Sequence, residues 1–212
     1  MINPSFSICV PNYNYGKFIG ETIESVLAQD YENFELIISD NCSTDNSIKV
    51  IESYNDDRIK LIKNNFNIGY SGNLTKVTSE AKNDFILFLP SDDLLKPDAL
   101  NDCCQLILKY KSFYKELVLS YQVEQLQLSG ESSFVSIYGK PFTSLYKNKY
   151  ELDYNHAECF EFNGHDIYKI MMEKIQMPLP IQSLVFSRNL FRSVEGFNSP
   201  RFIGPDKYFC FK

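Results

Sequence analysis

The sequence is poor in histidine and has no block of basic residues. Only His156 and His165 are present, which makes a His-rich metal site or a Ser-His-Asp mechanism hard to assemble. There are 21 basic and 27 acidic residues, giving a formal net charge of -6. Because nucleic-acid binding depends on clustered Lys and Arg, we expect no nucleic-acid partner.

Long hydrophobic runs and paired cysteines are also missing. The start, MINPSFSICVPNYN, has no basic region ahead of a long apolar one, so no signal peptide is expected. The longest apolar stretches have only the length of a strand. The six cysteines show no zinc-type spacing and are interpreted as small buried residues in a reducing cytosol. These absences favour a cytoplasmic protein.

The chain does show a regular alternation of strand and helix patterns. Its hydrophobic content of 44% is enough to bury a core, and 212 residues favour one domain. Strand candidates at residues 7–10, 34–38, 58–63 and 85–89 are separated by three amphipathic stretches, with Pro11 ending the first strand. Repeated strand-helix units predict an α/β fold with a parallel sheet and right-handed crossovers.

Polar side chains follow three of these strands. Asn12 comes after the first strand, Asp40 after the second, and Asp92 with Asp93 after the fourth. In open α/β sheets the carboxyl ends of the strands line the ligand crevice, so we expect Asn12, Asp40 and Asp92 to converge there. Adjacent carboxylates at this edge suit a metal-bound phosphate. The alternative is a solvated turn or a helix cap, in which Ser and Asp are common.

Two segments now resemble a known family. They are SICVPNYNYGKFIGETIESVLAQDYENFELIISDNCSTDNS and NNFNIGYSGNLTKVTSEAKNDFILFLPSDDLLKPDAL. In order, they are similar to the N-terminal half of family 2 glycosyltransferases. The resemblance implies a GT-A fold, with a Rossmann-like, mostly parallel sheet flanked by helices and a smaller acceptor-side subregion. It implies one domain over residues 1–212, with a nucleotide-sugar half at 1–96 and an acceptor-side half at 97–212.

By this resemblance, several residues would line the donor pocket. Pro11, Asn12 and Tyr13 lie in the first strand-end loop, and Asp40 would accept the N3–H of a uracil or thymine ring. Asn41 stands where many relatives carry a second acid, and Gly72 replaces a frequent Arg beside Asn73, which would face the nucleotide. Helix capping is the alternative role for Asp40 and Asp45.

The segment Ser91-Asp92-Asp93 is similar to the metal motif of the family. Pro90 stands where the usual leading acid would be. Asp92, with Ser91 beside it, would contact the ribose or a water of the metal shell. Asp93 would ligate Mn²⁺ or Mg²⁺, and the cation would neutralise charge on the leaving diphosphate.

The catalytic base is expected near the C-terminal end of the sequence. The stretch GFNSPRFIGPDKYFCFK resembles the family segment that carries a catalytic acid, which makes Asp206 the candidate general base. Its alternative role is an acid at a helix N-terminus. Because the chain stops at Lys212, a helix starting near Asp206 would be short, and a C-terminal truncation is expected.

Three functional hypotheses remain. The first is an inverting, metal-dependent glycosyltransferase that moves a sugar from a UDP- or dTDP-sugar to a hydroxyl of a glycan or lipid-linked acceptor, at or near the inner face of the membrane. Peripheral membrane association of the full-length protein fits this hypothesis. The second is a sugar-phosphate nucleotidyltransferase, which the loop NYNYGKF disfavours because it lacks a Gly-rich run with Arg and Lys. The third is a catalytically silent nucleotide-sugar-binding or partner-binding domain.

Overall fold

A computed structural model describes residues 3–110, 118–120, 124–126, 132–134, 149–151, 158–160 and 184–193. The chain divides into two compact units. One unit comprises residues 1–120 and 181–210 together with Lys212, and the other comprises residues 121–180 together with Phe211. The residues at the carboxyl edge of the main sheet all belong to the first unit.

The first unit is built on a six-stranded sheet with the order β3-β2-β1-β4-β10-β5. The strands β1, β2, β3 and β4 are parallel, whereas β10 runs antiparallel to both of its neighbours. Central strands of such a sheet are covered on both faces, which explains their continuous apolar runs. The strand bounds are β1 Phe6–Asn12, β2 Phe34–Asp40, β3 Ile59–Lys63, β4 Phe85–Phe88, β5 Val118–Ser120 and β10 Leu184–Ser187.

Among the described residues, five helices belong to this unit. In α1 the predicted stripe is confirmed, since Ile19, Ile23 and Val26 have no exposed surface. In α4, Leu100 and Ile107 are fully buried in the same way. The helix bounds are α1 Ile19–Leu27, α2 Ser47–Glu52, α3 Gly69–Ser79, α4 Ala99–Tyr110 and α5 Arg188–Ser193. Within the described parts of the chain, no helix is long and apolar enough to cross a membrane.

The second unit contains two short antiparallel strand pairs. One pair is β6 Glu124–Leu126 with β7 Ser132–Phe134, and the other is β8 Lys149–Glu151 with β9 Glu158–Phe160.

Two predicted boundaries were wrong. Proline was expected to end β1, but β1 continues through Pro11, which pairs with Ser39 of β2. The carbonyl oxygen of Cys9 accepts a hydrogen bond from the N–H of Leu89, just beyond the end of β4. Pro11 lies two residues further along β1, so its nitrogen points to the same side, toward β4. No ladder bond is lost there, because β4 has already ended at Phe88. The expected loop at residues 67–72 is also shorter, because α3 begins at Gly69.

The loop from β1 into α1 packs against the start of α2. The Gly16 N–H donates to Asp45 Oδ2 at 2.8 Å, and Asp45 Oδ1 accepts from the N–H of Ser47 at 2.9 Å. A Cβ on Gly16 would lie 2.1 Å from Asn46 Oδ1 and 2.8 Å from the Ser47 nitrogen. Only glycine therefore allows the two loops to approach this closely.

We expect Gly16→Ala to lower the free energy of unfolding by about 1–3 kcal/mol, because the new methyl group overlaps the Asn46 side chain and the Ser47 backbone. Denaturant titration followed by circular dichroism would measure this. Gly20→Ala is the matched control, since its Cβ meets only the Tyr54 hydroxyl at 3.3 Å and Val50 Cγ1 at 3.5 Å. Equal stability of the two variants would contradict the close approach at Gly16.

Candidate functional site at the carboxyl edge of the sheet

The ends of β1 and β2 meet through two polar side chains. Asn12 and Asp40 are paired in register, and the Nδ2 of Asn12 donates to Asp40 Oδ1 at 2.7 Å. This confirms the expected convergence of these two residues. Because Nδ2 must face the carboxylate, the orientation of the amide is fixed, and its Oδ1 is buried with no donor among the described residues.

The carboxylate of Asp40 is fully buried and already holds three hydrogen bonds. Besides Asn12, the hydroxyl of Ser43 donates to its Oδ1 at 2.6 Å, and the Ser43 N–H donates to its Oδ2 at 2.9 Å. A carboxylate has about four acceptor positions, so one remains. Asp40 thus holds the start of the loop between β2 and α2 in place. Its predicted hydrogen bond to the base of the nucleotide stays a prediction.

The side chain of Asn73 links α3 to the ends of β1 and β2. Its Oδ1 accepts from the Ser39 hydroxyl at 2.7 Å and from Asn64 Nδ2 at 3.0 Å. Its Nδ2 donates to the carbonyl oxygens of Ser39 at 2.9 Å and Asn12 at 3.4 Å. Asn73 was predicted to face the nucleotide, but protein groups occupy all of its donors and acceptors.

Asn41 is also held by protein groups. It is buried, and its backbone N–H donates to the Asn12 carbonyl at 2.8 Å. Its side chain bonds to four groups of the loop between β3 and α3, including Asn67 and Ile68. The structure therefore shows Asn41 facing this loop, and its predicted contact with the nucleotide stays a prediction.

The loop after β1 turns aromatic rings outward. Tyr13 is 43% exposed, and Tyr15 and Phe18 are exposed beside it, with ring centroids 6.0 Å apart. Asn14 has a positive φ of 59°, and its Oδ1 accepts from the Thr44 N–H at 2.7 Å. This bond, together with the Asn14 N–H bond to the Ser43 hydroxyl at 2.9 Å, fixes the loop against the β2–α2 loop. The exposed aromatic rings are thus attached to a backbone that these hydrogen bonds hold in place.

The acidic pair follows β4 in a tight turn. The Asp93 N–H donates to the Pro90 carbonyl at 3.2 Å, and the buried Ser91 accepts the Thr22 hydroxyl on its carbonyl at 3.0 Å. Asp92 is exposed and Asp93 is partly buried. Neither carboxylate has a hydrogen-bond or ion-pair partner among the described residues. The turn is therefore anchored by its backbone, and both side chains remain available.

The acids at this edge have opposite electrostatic surroundings. At Asp45, burial is opposed by hydrogen bonds from Ser47 and Gly16, which together hold its pKa below the ordinary value. At Asp93, burial and the neighbouring charge of Asp92 raise the pKa. Asp45 is thus stabilised as an anion by the fold, whereas the ionised Asp93 needs positive charge from elsewhere.

The oxygen donors of Asp92 and Asp93 fit a hard divalent cation. Among the described residues, no group of three or more His, Cys, Asp or Glu side chains could hold a metal ion by itself. Mg²⁺ is commonly bound by one or two carboxylates, with substrate phosphates completing its shell. Two free carboxylates therefore suit a cation that arrives with a phosphate-containing ligand, and do not suit a permanent protein-only metal centre.

Sequence reasoning missed three residues at this edge and placed one outside the described part of the chain. Ser43, Asn14 and Asn64 hold the loops together, and no periodicity in the sequence distinguishes them from ordinary turn residues. The clustering of Asn and Ser directly after β1, β2 and β3 was the available signal. Asp206, the predicted general base, lies outside the described residues.

A mostly parallel sheet with an acidic pair at its carboxyl edge agrees with the GT-A fold that the sequence resemblance implies. The family model described as "Glycosyl transferase family 2" matches residues 7–162. The chain belongs to this family, which confirms the resemblance seen in the sequence.

Curated relatives and a solved structure agree with this family. The chain is 34% identical over 113 residues to the putative glycosyltransferase EpsE of Bacillus subtilis, covering 52% of this chain and 41% of that protein. It is 39% identical over 104 residues to WfgD of Escherichia coli, a UDP-Glc:alpha-D-GlcNAc-diphosphoundecaprenol beta-1,3-glucosyltransferase, covering 49% of this chain and 41% of that protein. The matched region thus spans less than half of either relative.

TarS of Staphylococcus aureus, solved as residues 1–349 in complex with UDP-GlcNAc, superposes with a TM-score of 0.67 at 22% identity. The superposition covers 97% of this chain and 52% of that one. The TM-score over nearly the whole of this chain shows that the two proteins share a fold.

We expect Asn73→Ala to lower the free energy of unfolding by about 1–3 kcal/mol, because the buried hydroxyl of Ser39 and the partly buried amide of Asn64 lose their partner. Asp93→Asn should instead leave stability at pH 7 unchanged or slightly raised. The raised pKa means that ionised Asp93 opposes folding above its titration range, and this opposition fades as the pH falls. Chemical denaturation of both variants at pH 7 checks the contrast, and a clear loss of stability in Asp93→Asn would contradict it.

Proposed function

We propose that this domain is an inverting glycosyltransferase that uses a UDP-sugar donor, with dTDP-sugars as the related choice, and a divalent cation. The observation that carries this proposal is the free carboxylate pair, Asp92 and Asp93, at the carboxyl edge of a GT-A sheet. The name of TarS as crystallised with UDP-GlcNAc and the name of WfgD as a UDP-Glc-dependent enzyme support uridine as the base.

The donor would lie along the edge formed by the ends of β1, β2 and β4. Tyr13 offers an exposed aromatic face for the base, and Pro11 and Asn12 precede it at the end of β1. Asp40 has one acceptor position left after its bonds to Asn12 and Ser43, and an imide N–H of uracil fits that position chemically. Since Asp40 is fully buried, this contact would require a neighbouring side chain to move.

Asp92 and Asp93 would hold Mn²⁺ or Mg²⁺ against the diphosphate, with Asp93 as the direct ligand. When bound, the cation neutralises charge on the leaving diphosphate. The contribution of this chain is to hold two oxygen ligands in a fixed turn, anchored by Thr22 and the Pro90 carbonyl. Because no cationic side chain in the described part of the chain pairs with these carboxylates, the cation and the diphosphate should bind together.

Asp206 is proposed as the general base. It would take the proton of the acceptor hydroxyl while that oxygen bonds to the anomeric carbon and the bond from this carbon to the diphosphate breaks. Attack from the face opposite the leaving group inverts the anomeric configuration. The relatives act on lipid-linked or polymer acceptors, as the names of WfgD and TarS state, so a saccharide acceptor in surface polysaccharide synthesis is proposed for this chain.

The donor site is tested by calorimetric titration of UDP, dTDP, GDP and CDP, first with Mn²⁺ and then with a chelator. We expect UDP to bind with Mn²⁺ and to weaken by about tenfold or more with the chelator, which corresponds to about 1.4 kcal/mol per factor of ten. Asp93→Asn should abolish the dependence on metal, whereas Asp98→Asn, an equal charge change at an exposed position of the same segment, should retain it. Binding of none of the four nucleotides would refute the donor site.

Asp206→Asn should separate donor binding from transfer. We expect the variant to bind UDP and Mn²⁺ as the wild type does, since its side chain acts on the acceptor, and to lose transfer by about 100-fold or more. The measurement is radiolabelled sugar transfer to a saccharide acceptor, alongside calorimetry. A wild type that binds UDP but transfers no sugar would favour a silent nucleotide-sugar-binding domain.

A further inference from the structure

The loop between β3 and α3, residues 64–68, has no regular secondary structure but is held by a dense set of polar contacts. The Asn64 N–H donates to the Asp40 carbonyl at 2.9 Å, and the Gly69 N–H donates to Asn67 Oδ1 at 2.8 Å. Phe66 lies on this loop with 68% of its surface exposed. An exposed aromatic ring on a fixed loop at the ligand edge makes the support of this loop relevant to function.

Asn41 is the centre of that support. Its Nδ2 donates to Asn67 Oδ1 at 2.8 Å and to the Gly69 carbonyl at 3.3 Å. Its Oδ1 accepts from the Ile68 N–H at 2.9 Å and from Asn64 Nδ2 at 3.3 Å. An asparagine side chain has two N–H donors and two acceptor positions, and here all four are used by the loop and by Gly69, the first residue of α3. Nothing remains for a ligand.

We propose that Asn41 is a positioning residue for donor binding, which acts by holding the β3–α3 loop and not by touching the base. This inference rests on the proposed function. Asn41 also provides an acceptor for the N–H of Ile68, the N-cap residue of α3, which makes no side-chain cap hydrogen bond of its own. One amide therefore fixes both the loop and the first turn of the helix that follows it.

In this chain, the contacts of Asn41 favour an amide over an acid at this position. A carboxylate accepts only, so an Asp at 41 would turn its oxygens toward two other acceptors, Asn67 Oδ1 and the Gly69 carbonyl. Asn67 cannot resolve this by rotating its amide, because its Oδ1 also accepts from the Gly69 N–H. The backbone of the loop must therefore shift to separate these oxygen atoms from the new carboxylate.

One effect acts in the opposite direction. A negative charge beside the N-terminus of α3 would be favoured by the helix dipole, and it would still accept from Ile68. However, Asn41 is only 3% exposed, and a buried charge without a cationic partner is strongly unfavourable. Burial therefore outweighs the dipole, and Asn41→Asp should disturb the loop.

The experiment compares Asn41→Asp and Asn65→Asp with the wild type in the full chain, by UDP calorimetry and by steady-state sugar transfer. Asn41→Asp should raise the Kd for UDP with Mn²⁺ and the KM for the donor by about tenfold, with kcat within about twofold, because only uniform donor binding is lost. Asn65→Asp adds the same charge to an exposed side chain of the same loop and should behave as the wild type. A general loss of folding would lower kcat and leave KM unchanged. Comparing the changes in kcat and in KM therefore distinguishes a positioning role from misfolding.

Changes at Asn67 test the same contact from the loop side. This residue is exposed, so its substitution leaves the core intact. Asn67→Ala removes the acceptor for both Asn41 Nδ2 and the Gly69 N–H and should raise KM about threefold, whereas Asn67→Asp keeps an acceptor for both and should restore the wild-type value.

Each outcome has one meaning. If the wild type binds no nucleoside diphosphate, the proposed function fails and the inference fails with it. If the wild type binds UDP and Asn41→Asp binds equally well, only the inference is overturned. A fall in kcat at constant KM for a folded Asn41→Asp variant would also overturn it, since the residue would then act on the reaction itself.

Discussion

The short hydrogen bond between Asn12 and Asp40 joins the two strands on which the candidate site is built. A carboxylate without exposed surface must find donors, and Asp40 finds them in the neighbouring strand and in Ser43 of its own loop. Asn14 then uses the same serine hydroxyl to fix the loop after β1. Removing Asp40 would weaken the support of both strand-end loops at once, so the geometry of the edge depends strongly on this one buried carboxyl group.

The edge divides its acids into two groups with different tasks. Asp40 and Asp45 are occupied by protein donors and hold loops in place. Asp92 and Asp93 are held through the backbone of their turn, and among the described residues no side chain pairs with either carboxylate to offset their mutual repulsion. Such a pair costs stability in the free protein and becomes favourable when positive charge is added. Asp40 and Asp45 thus support the loops in the free protein, whereas the favourable state of Asp92 and Asp93 depends on a ligand.

The sequence was sufficient for the parallel sheet and for the contact of Asn12 with Asp40, because period and strand order determine both. It was insufficient for Asn41 and Asn73. An asparagine after a strand looks the same whether it turns toward a ligand or toward the protein, and only the positions of its partners decide this. Pro11 was misjudged for a related reason, since its missing N–H matters only where a neighbouring strand is present to accept the bond.

The antiparallel strand β10 has a consequence for the order in which the protein can fold. It pairs with β4 at Val185 and Leu87, residues separated by about 100 positions in the chain, so this contact closes late on the folding pathway. Until β10 arrives, β4 presents an open edge of unpaired backbone groups. On the ribosome, β1, β2, β3 and β4 would emerge well before β10, so the nascent domain would carry an aggregation-prone edge during its synthesis.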